Sequence, residues 1–153
     1  MDKPRSASSQ GDEPRKLSIP ARLERLHEVR EFVDRATEEA GFDDPARYEI
    51  KLAVNEAVTN AIRHGSESAE DHVAIEIADR DGELHFSVAD TGLFVHRFEL
   101  PRDLPERGRG LSFIAELMDG LEVRPEYEGT TICFSKRDPR SSGGAGPATG
   151  GCP

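Results

Sequence analysis

No stretch of this chain stays apolar for the ~18 residues that a membrane-spanning helix needs, and the N-terminal residues lack the apolar run of a secretory signal. A cytoplasmic protein with no membrane partner is therefore expected. Cysteine is scarce: Cys133 falls in a strand-like segment and Cys152 near the C-terminus. With no C-x-x-C spacing for zinc or a redox pair, they read as one core residue and one incidental one. Basic excess is missing as well. The formal net charge of -10 repels the phosphate backbone, which argues against direct contact with nucleic acid and leaves a protein partner or a small ligand. There is no G-x-x-x-x-G-K-S/T phosphate loop. The G-x-G of Gly108 and Gly110 follows a long loop late in the chain rather than an early strand, which disfavours a dinucleotide-binding unit.

What is present fits one domain, since 153 residues is ordinary single-domain length. The hydrophobic fraction of 35% understates the middle of the chain, because both ends are depleted of apolar residues. Met1 to Lys16 is polar and charged and reads as a disordered arm. From Asp138 to Pro153 the chain is rich in Gly and Ser and reads as a flexible tail. The folded unit is expected over residues 17–137.

Within it, Leu17 to Ile19 reads as a short strand. Leu26, Val29, Val33, Ala36 and Ala40 then recur at helical spacing, and Gly41 ends that helix. Asp44 followed by Pro45 signals a second helix, capped by the Asp and running to about His64. Its buried stripe is Ile50, Val54, Ala57, Val58 and Ala61, with Glu56 and Asn60 side by side at the edge. Val73, Ile75 and Ile77, then Leu84, Phe86 and Val88, alternate around Asp79-Arg80-Asp81-Gly82 as a β-hairpin does. Leu93 to Arg109 has no periodicity and reads as a long binding loop or lid. Gly108 to Leu111 opens a third helix containing Ile114, Leu117 and Met118, and a final hairpin pairs Leu121–Val123 with Thr130–Ser135. The order of elements implies an α/β fold in the two-layer, α+β sense, with helices on one face of a mixed sheet.

Four short pieces carry the candidate chemistry. Glu56 and Asn60 can be plain amphipathic edge residues, but an Asn oxygen suits Mg²⁺ and a carboxylate one turn away can take a proton from a nucleophile. Asp90-Thr91-Gly92 reads either as a turn or as a strand end presenting a carboxylate to a purine amino group. Gly108-Arg109-Gly110 offers backbone N–H groups and a helix N-terminus to phosphates; Arg107 and Arg109 add positive charge there, or are solvated loop residues. Gly129-Thr130-Thr131 completes the set. His64, at a helix C-terminus, reads as a capping residue.

Taken in order, these pieces resemble the nucleotide-binding boxes of the ATPase superfamily that includes gyrase, Hsp90, the histidine kinases and MutL. Asn55-Glu56-Ala57-Val58-Thr59-Asn60-Ala61-Ile62-Arg63-His64-Gly65 is especially similar to the form found in the bacterial anti-sigma-factor serine kinases. The resemblance implies a Bergerat ATP-binding fold, with Asn60 holding Mg²⁺, Glu56 as general base and Arg63 at the nucleotide. It implies Asp90 and Gly92 at adenine, Arg107, Gly108, Arg109, Gly110 and Leu111 over the phosphates, and Thr130 and Thr131 supporting the adenine contact. Phe94 stands where the first glycine box often has its second Gly. The implied cofactors are ATP and Mg²⁺. The implied activity is phosphorylation of a Ser or Thr in a STAS-type anti-sigma-factor antagonist, coupled to sequestration of a sigma factor, in a protein that is usually a homodimer. The alternative is a non-catalytic, ATP-gated binding module, which would need Asp90 and the glycines but not Glu56.

Overall fold

The computed structural model describes residues 13–65, 70–90, 105–126, 129–138 and 152. Strand β1 (Arg15–Pro20) is followed by a single 3-10 turn (Leu23–Arg25) and helix α1 (Leu26–Glu39). Helix α2 (Asp44–Asn60) continues into a π turn (Ala61–Gly65). The hairpin β2 (His72–Arg80) and β3 (Glu83–Asp90), helix α3 (Pro105–Leu117), and the hairpin β4 (Gly120–Glu126) and β5 (Gly129–Arg137) complete the order.

Local chemistry accounts for most of these boundaries. At the end of α1, Phe42 N–H donates to Thr37 O at 3.1 Å and Gly41 N–H to Glu38 O at 3.0 Å. This paired closure requires a left-handed residue, which Gly41 supplies at φ 85° without the steric cost of a Cβ. The cap of α2 is Asp43, whose carboxylate accepts from Ala46 N–H at 3.0 Å, one residue before the expected Asp44. Asp44 is instead the first helical residue and adds negative charge at the positive end of the helix dipole. The β2–β3 turn consists of Asp81 and Gly82, both at positive φ (56° and 87°), the two-residue geometry whose twist matches that of the strands.

The sheet has five strands in the order β1-β2-β3-β5-β4, and every described pair is antiparallel. The two-layer α+β arrangement is as expected; a mixed sheet is not what forms. The β3–α3–β4 crossover does return β4 in the direction of β3, but β5 folds back into the gap between them and pairs antiparallel with both.

Period-two alternation gives the sheet two distinct faces. Ile19, Val73, Ile75, Ile77, Leu84, Phe86, Val88 and Phe134 are buried in one cluster with Val29, Val33, Ile50, Val54, Val58 and Ile114 of the helices. Phe86 and Phe134, register partners, stack at a centroid distance of 5.3 Å. The cysteines depart from expectation: Cys133 and Cys152 form a disulfide. A bond between a strand residue and one 19 positions later, across a Gly-rich stretch, leaves no local spacing signal. No described helix is long and apolar enough to cross a membrane.

Candidate nucleotide site

Helix α2 lies beside α1 on one flank and α3 on the other, so it is the central helix of its layer. Its apolar positions Ile50, Ala53, Val54, Ala57 and Val58 are buried. Glu56 and Asn60, one turn apart on the last part of the helix, are half-buried at the edge of that stripe. The helix then widens into the π turn, which runs alongside β3. Such turns lift backbone out of regular register and are frequent at functional sites. Arg63 rides on this turn and is exposed.

Strand β3 brings a carboxylate to the same layer. Asp90 continues the alternation of Leu84, Phe86 and Val88, so it lies on the helix side at the strand end, and it is only 8% exposed. Gly129, the first residue of β5, closes on it from the neighbouring strand. A Cβ built at Gly129 would lie 2.0 Å from the Asp90 carbonyl oxygen and 3.1 Å from Asp90 Oδ1. Only glycine permits this approach, and the φ of 151° at that position is one that side chains avoid. The role of Gly129 as the wall behind Asp90 is not readable from a Gly-Thr-Thr string; the one available hint was a Gly directly ahead of a strand.

The pleat separates the two threonines. Thr130 shares the helix side with Ile132 and Phe134, and so neighbours Asp90. Thr131 pairs with Ala89 and shares the outer side with Cys133, so it does not join the site through its side chain. Leu111 is half-buried on α3. That helix begins at Pro105, so Gly108 and Gly110 sit within its first turns rather than ahead of them. The loop expected from Leu93 to Arg109 lies outside the described residues up to 104, as do Gly92 and the side chains of Arg107 and Arg109.

A buried carboxylate walled by a glycine at the end of β3 and a half-buried Glu–Asn pair on the central helix are groups of the kind that hold a nucleotide, and α3, which carries Gly108 and Gly110, packs against that helix. The model of the histidine kinase-like ATPase domain matches residues 19–136. The chain belongs to this family. Among curated relatives, this histidine kinase-like ATPase domain is 33% identical over 134 residues to the serine-protein kinase RsbW of Oceanobacillus iheyensis, covering 78% of this chain and 84% of that one. It is 37% identical over 101 residues to an anti-sigma F factor of Clostridium botulinum, covering 58% of this chain and 69% of that one. Among solved structures, the domain superposes with a TM-score of 0.65 on the RsbU and RsbW domains of a Mycobacterium tuberculosis protein. At 23% identity that likeness concerns the fold, and it spans 82% of this chain but 32% of the other.

The residues present fit the group that the family implies. Among the described residues no three His, Cys, Asp or Glu side chains converge as a metal cage. Mg²⁺ is commonly held by one or two protein oxygens together with substrate phosphates, and the side-chain amide oxygen of the half-buried Asn60 is of that donor type.

Proposed function

We propose that this chain is an ATP-dependent protein serine/threonine kinase of the anti-sigma type, which phosphorylates a STAS-type antagonist and sequesters a sigma factor when that antagonist is phosphorylated. The observation that carries this reading is the joint placement of Glu56 and Asn60 on the central helix and of Asp90, walled by Gly129, at the end of β3. The similarity to relatives named as anti-sigma factors and as a serine-protein kinase supports it.

In this reading Asp90 accepts a hydrogen bond from the adenine amino group, and the Thr130 hydroxyl supports that contact. Asn60 would hold Mg²⁺, whose charge would offset that of the phosphates. Glu56 accepts the proton of the substrate hydroxyl as its oxygen bonds to the γ-phosphorus and the bond from that phosphorus to the β–γ bridging oxygen breaks. Gly92 allows adenine close to the backbone. In the same reading Arg63, Arg107 and Arg109 supply positive charge to the phosphates, and Gly108, Gly110 and Leu111 give the start of α3 a surface that the phosphates can approach closely, so that charge is stabilised in the transition state as this chemistry requires. A homodimer is the assembly that accompanies this role, and the cytoplasm is its place.

The test is titration of ATP with Mg²⁺ into the full chain, followed by incubation with γ-labelled ATP and purified STAS-domain proteins. Saturable binding with label on a serine or threonine of one candidate supports the kinase. Binding with no transfer to any candidate favours an ATP-gated binding module, and no binding at all contradicts the nucleotide site.

A further inference from the structure

Helices occupy one face of the sheet, yet several residues on the opposite face are also withdrawn from solvent. Cys133 is 0% exposed and His85 1% exposed. The register places Cys133 opposite Ser87 on β3 and Glu122 on β4, and the alternation that sends Phe134 into the core points Cys133 outward. Its sulfur is bonded to that of Cys152, with the two Cα atoms 5.1 Å apart, inside the usual span for a disulfide of about 4.4–6.8 Å.

We propose that Cys133 and Cys152 are a reversible thiol–disulfide pair that fastens the C-terminal end of the chain to the outer face of the sheet. This site is independent of the proposed nucleotide chemistry. Two observations indicate that the covalent bond, rather than packing, decides the attachment. First, among the described residues Glu83 Oε2 and Ser135 Oγ are buried on this face with no hydrogen-bond partner, and unpaired buried polar atoms oppose burial of the face by packing alone. Second, the sequence between Asp138 and Cys152 is Pro-Arg-Ser-Ser-Gly-Gly-Ala-Gly-Pro-Ala-Thr-Gly-Gly, with almost no apolar surface to bury in compensation.

The oxidant required is a low-molecular-weight disulfide. The Cys152 thiolate, nearer solvent than Cys133, attacks one sulfur of that disulfide and releases one small thiolate. The Cys133 thiolate then attacks the Cys152 sulfur and releases the second. Two cysteine thiols are oxidised, one small disulfide is reduced to two thiols, and the two cysteine protons pass to the departing thiolates.

The experiment compares the full chain after dithiothreitol with the same chain after excess glutathione disulfide, by intact mass and by tryptic digestion under non-reducing conditions. The oxidised chain should be two hydrogens lighter and remain monomeric through this bond. After cleavage at Arg140, the peptide bearing Cys152 should stay joined to the peptide bearing Cys133, and dithiothreitol should release it. The variant Cys152→Ser, altered far from the core, should keep the wild-type circular dichroism and show neither the mass loss nor the joined peptide. Stable glutathione adducts on Cys152, chains joined to one another, or two free thiols after treatment would each overturn the proposal.

Discussion

Gly129 and Asp90 occupy adjacent strands so closely that even a methyl group at position 129 would meet the Asp90 backbone, with 2.0 Å between a built Cβ and the Asp90 carbonyl oxygen. The carboxylate read as the adenine acceptor is therefore positioned by what its neighbour lacks. Gly129→Ala should displace the end of β3 and also strain a backbone at φ 151°, at a cost of about 1–3 kcal/mol. We predict ATP affinity at least ~10-fold lower in a chain that retains its far-ultraviolet circular dichroism. Unchanged affinity would separate Gly129 from the site.

Asp90→Asn keeps the shape of the side chain and replaces one acceptor oxygen by a donor. The loss expected is about 1–3 kcal/mol of nucleotide binding, some 5- to 150-fold in Kd, read by calorimetry with ATP. Guanine nucleotides, which lack the amino group at the same ring position, should be less affected by the change than adenine nucleotides.

A third prediction concerns the frame of the site. Lys136 Nζ donates to Glu49 Oε1 on α2 at 2.7 Å and to the Leu117 carbonyl at the end of α3 at 2.6 Å, tying β5 to both helices that flank the proposed nucleotide position. Lys136→Met removes both bonds while keeping much of the stem. It should cost about 1–3 kcal/mol of unfolding free energy, measured by urea denaturation; a change below ~0.3 kcal/mol would show the contact to be dispensable.

At the far end of α2, Arg47 and Lys51 approach Asp34 Oδ1 at 2.8 and 3.3 Å. Hydrogen bonds from Lys51 and Arg47 hold the Asp34 carboxyl below the usual aspartate range. A carboxylate whose folded pKa is depressed contributes stability above its unfolded pKa, near 3.9, and loses that contribution as pH falls through the lower folded value. Because Asp34 is partly exposed, the contribution should be only about 0.5–1 kcal/mol. Asp34→Asn should thus be less stable than the parent at pH 7, and the difference should close as pH falls below about 4; a pH-independent difference would contradict this.

The parts legible in the sequence were those governed by local chemistry. The stripe from Ile50 to Ala61, the Asp81-Gly82 turn and the glycine stop at Gly41 each follow from residues a few positions apart. What was hidden depends on contacts distant in sequence. The insertion of β5 between β3 and β4 turns an expected mixed sheet into an antiparallel one. The Cys133–Cys152 bond joins two segments with no shared pattern. Thr130 and Thr131 look equivalent as a string, yet the strand pleat assigns them to opposite faces, and that assignment depends on the pairing register. The cap shifted from Asp44 to Asp43 because either aspartate satisfies the same local rule, and only the backbone at Asp43, φ -78° and ψ 171°, is extended as a capping residue needs to be.

The central claim is that Glu56 serves the chemistry and not the binding of nucleotide. The most direct measurement compares parent and Glu56→Ala chains for ATP affinity by calorimetry and for the single-turnover rate of phosphoryl transfer to a STAS-domain substrate. The account predicts affinities within about 2-fold of each other and a transfer rate lower by roughly 10²–10⁴-fold, the usual contribution of a positioned general base. Transfer at the parental rate by Glu56→Ala would contradict it.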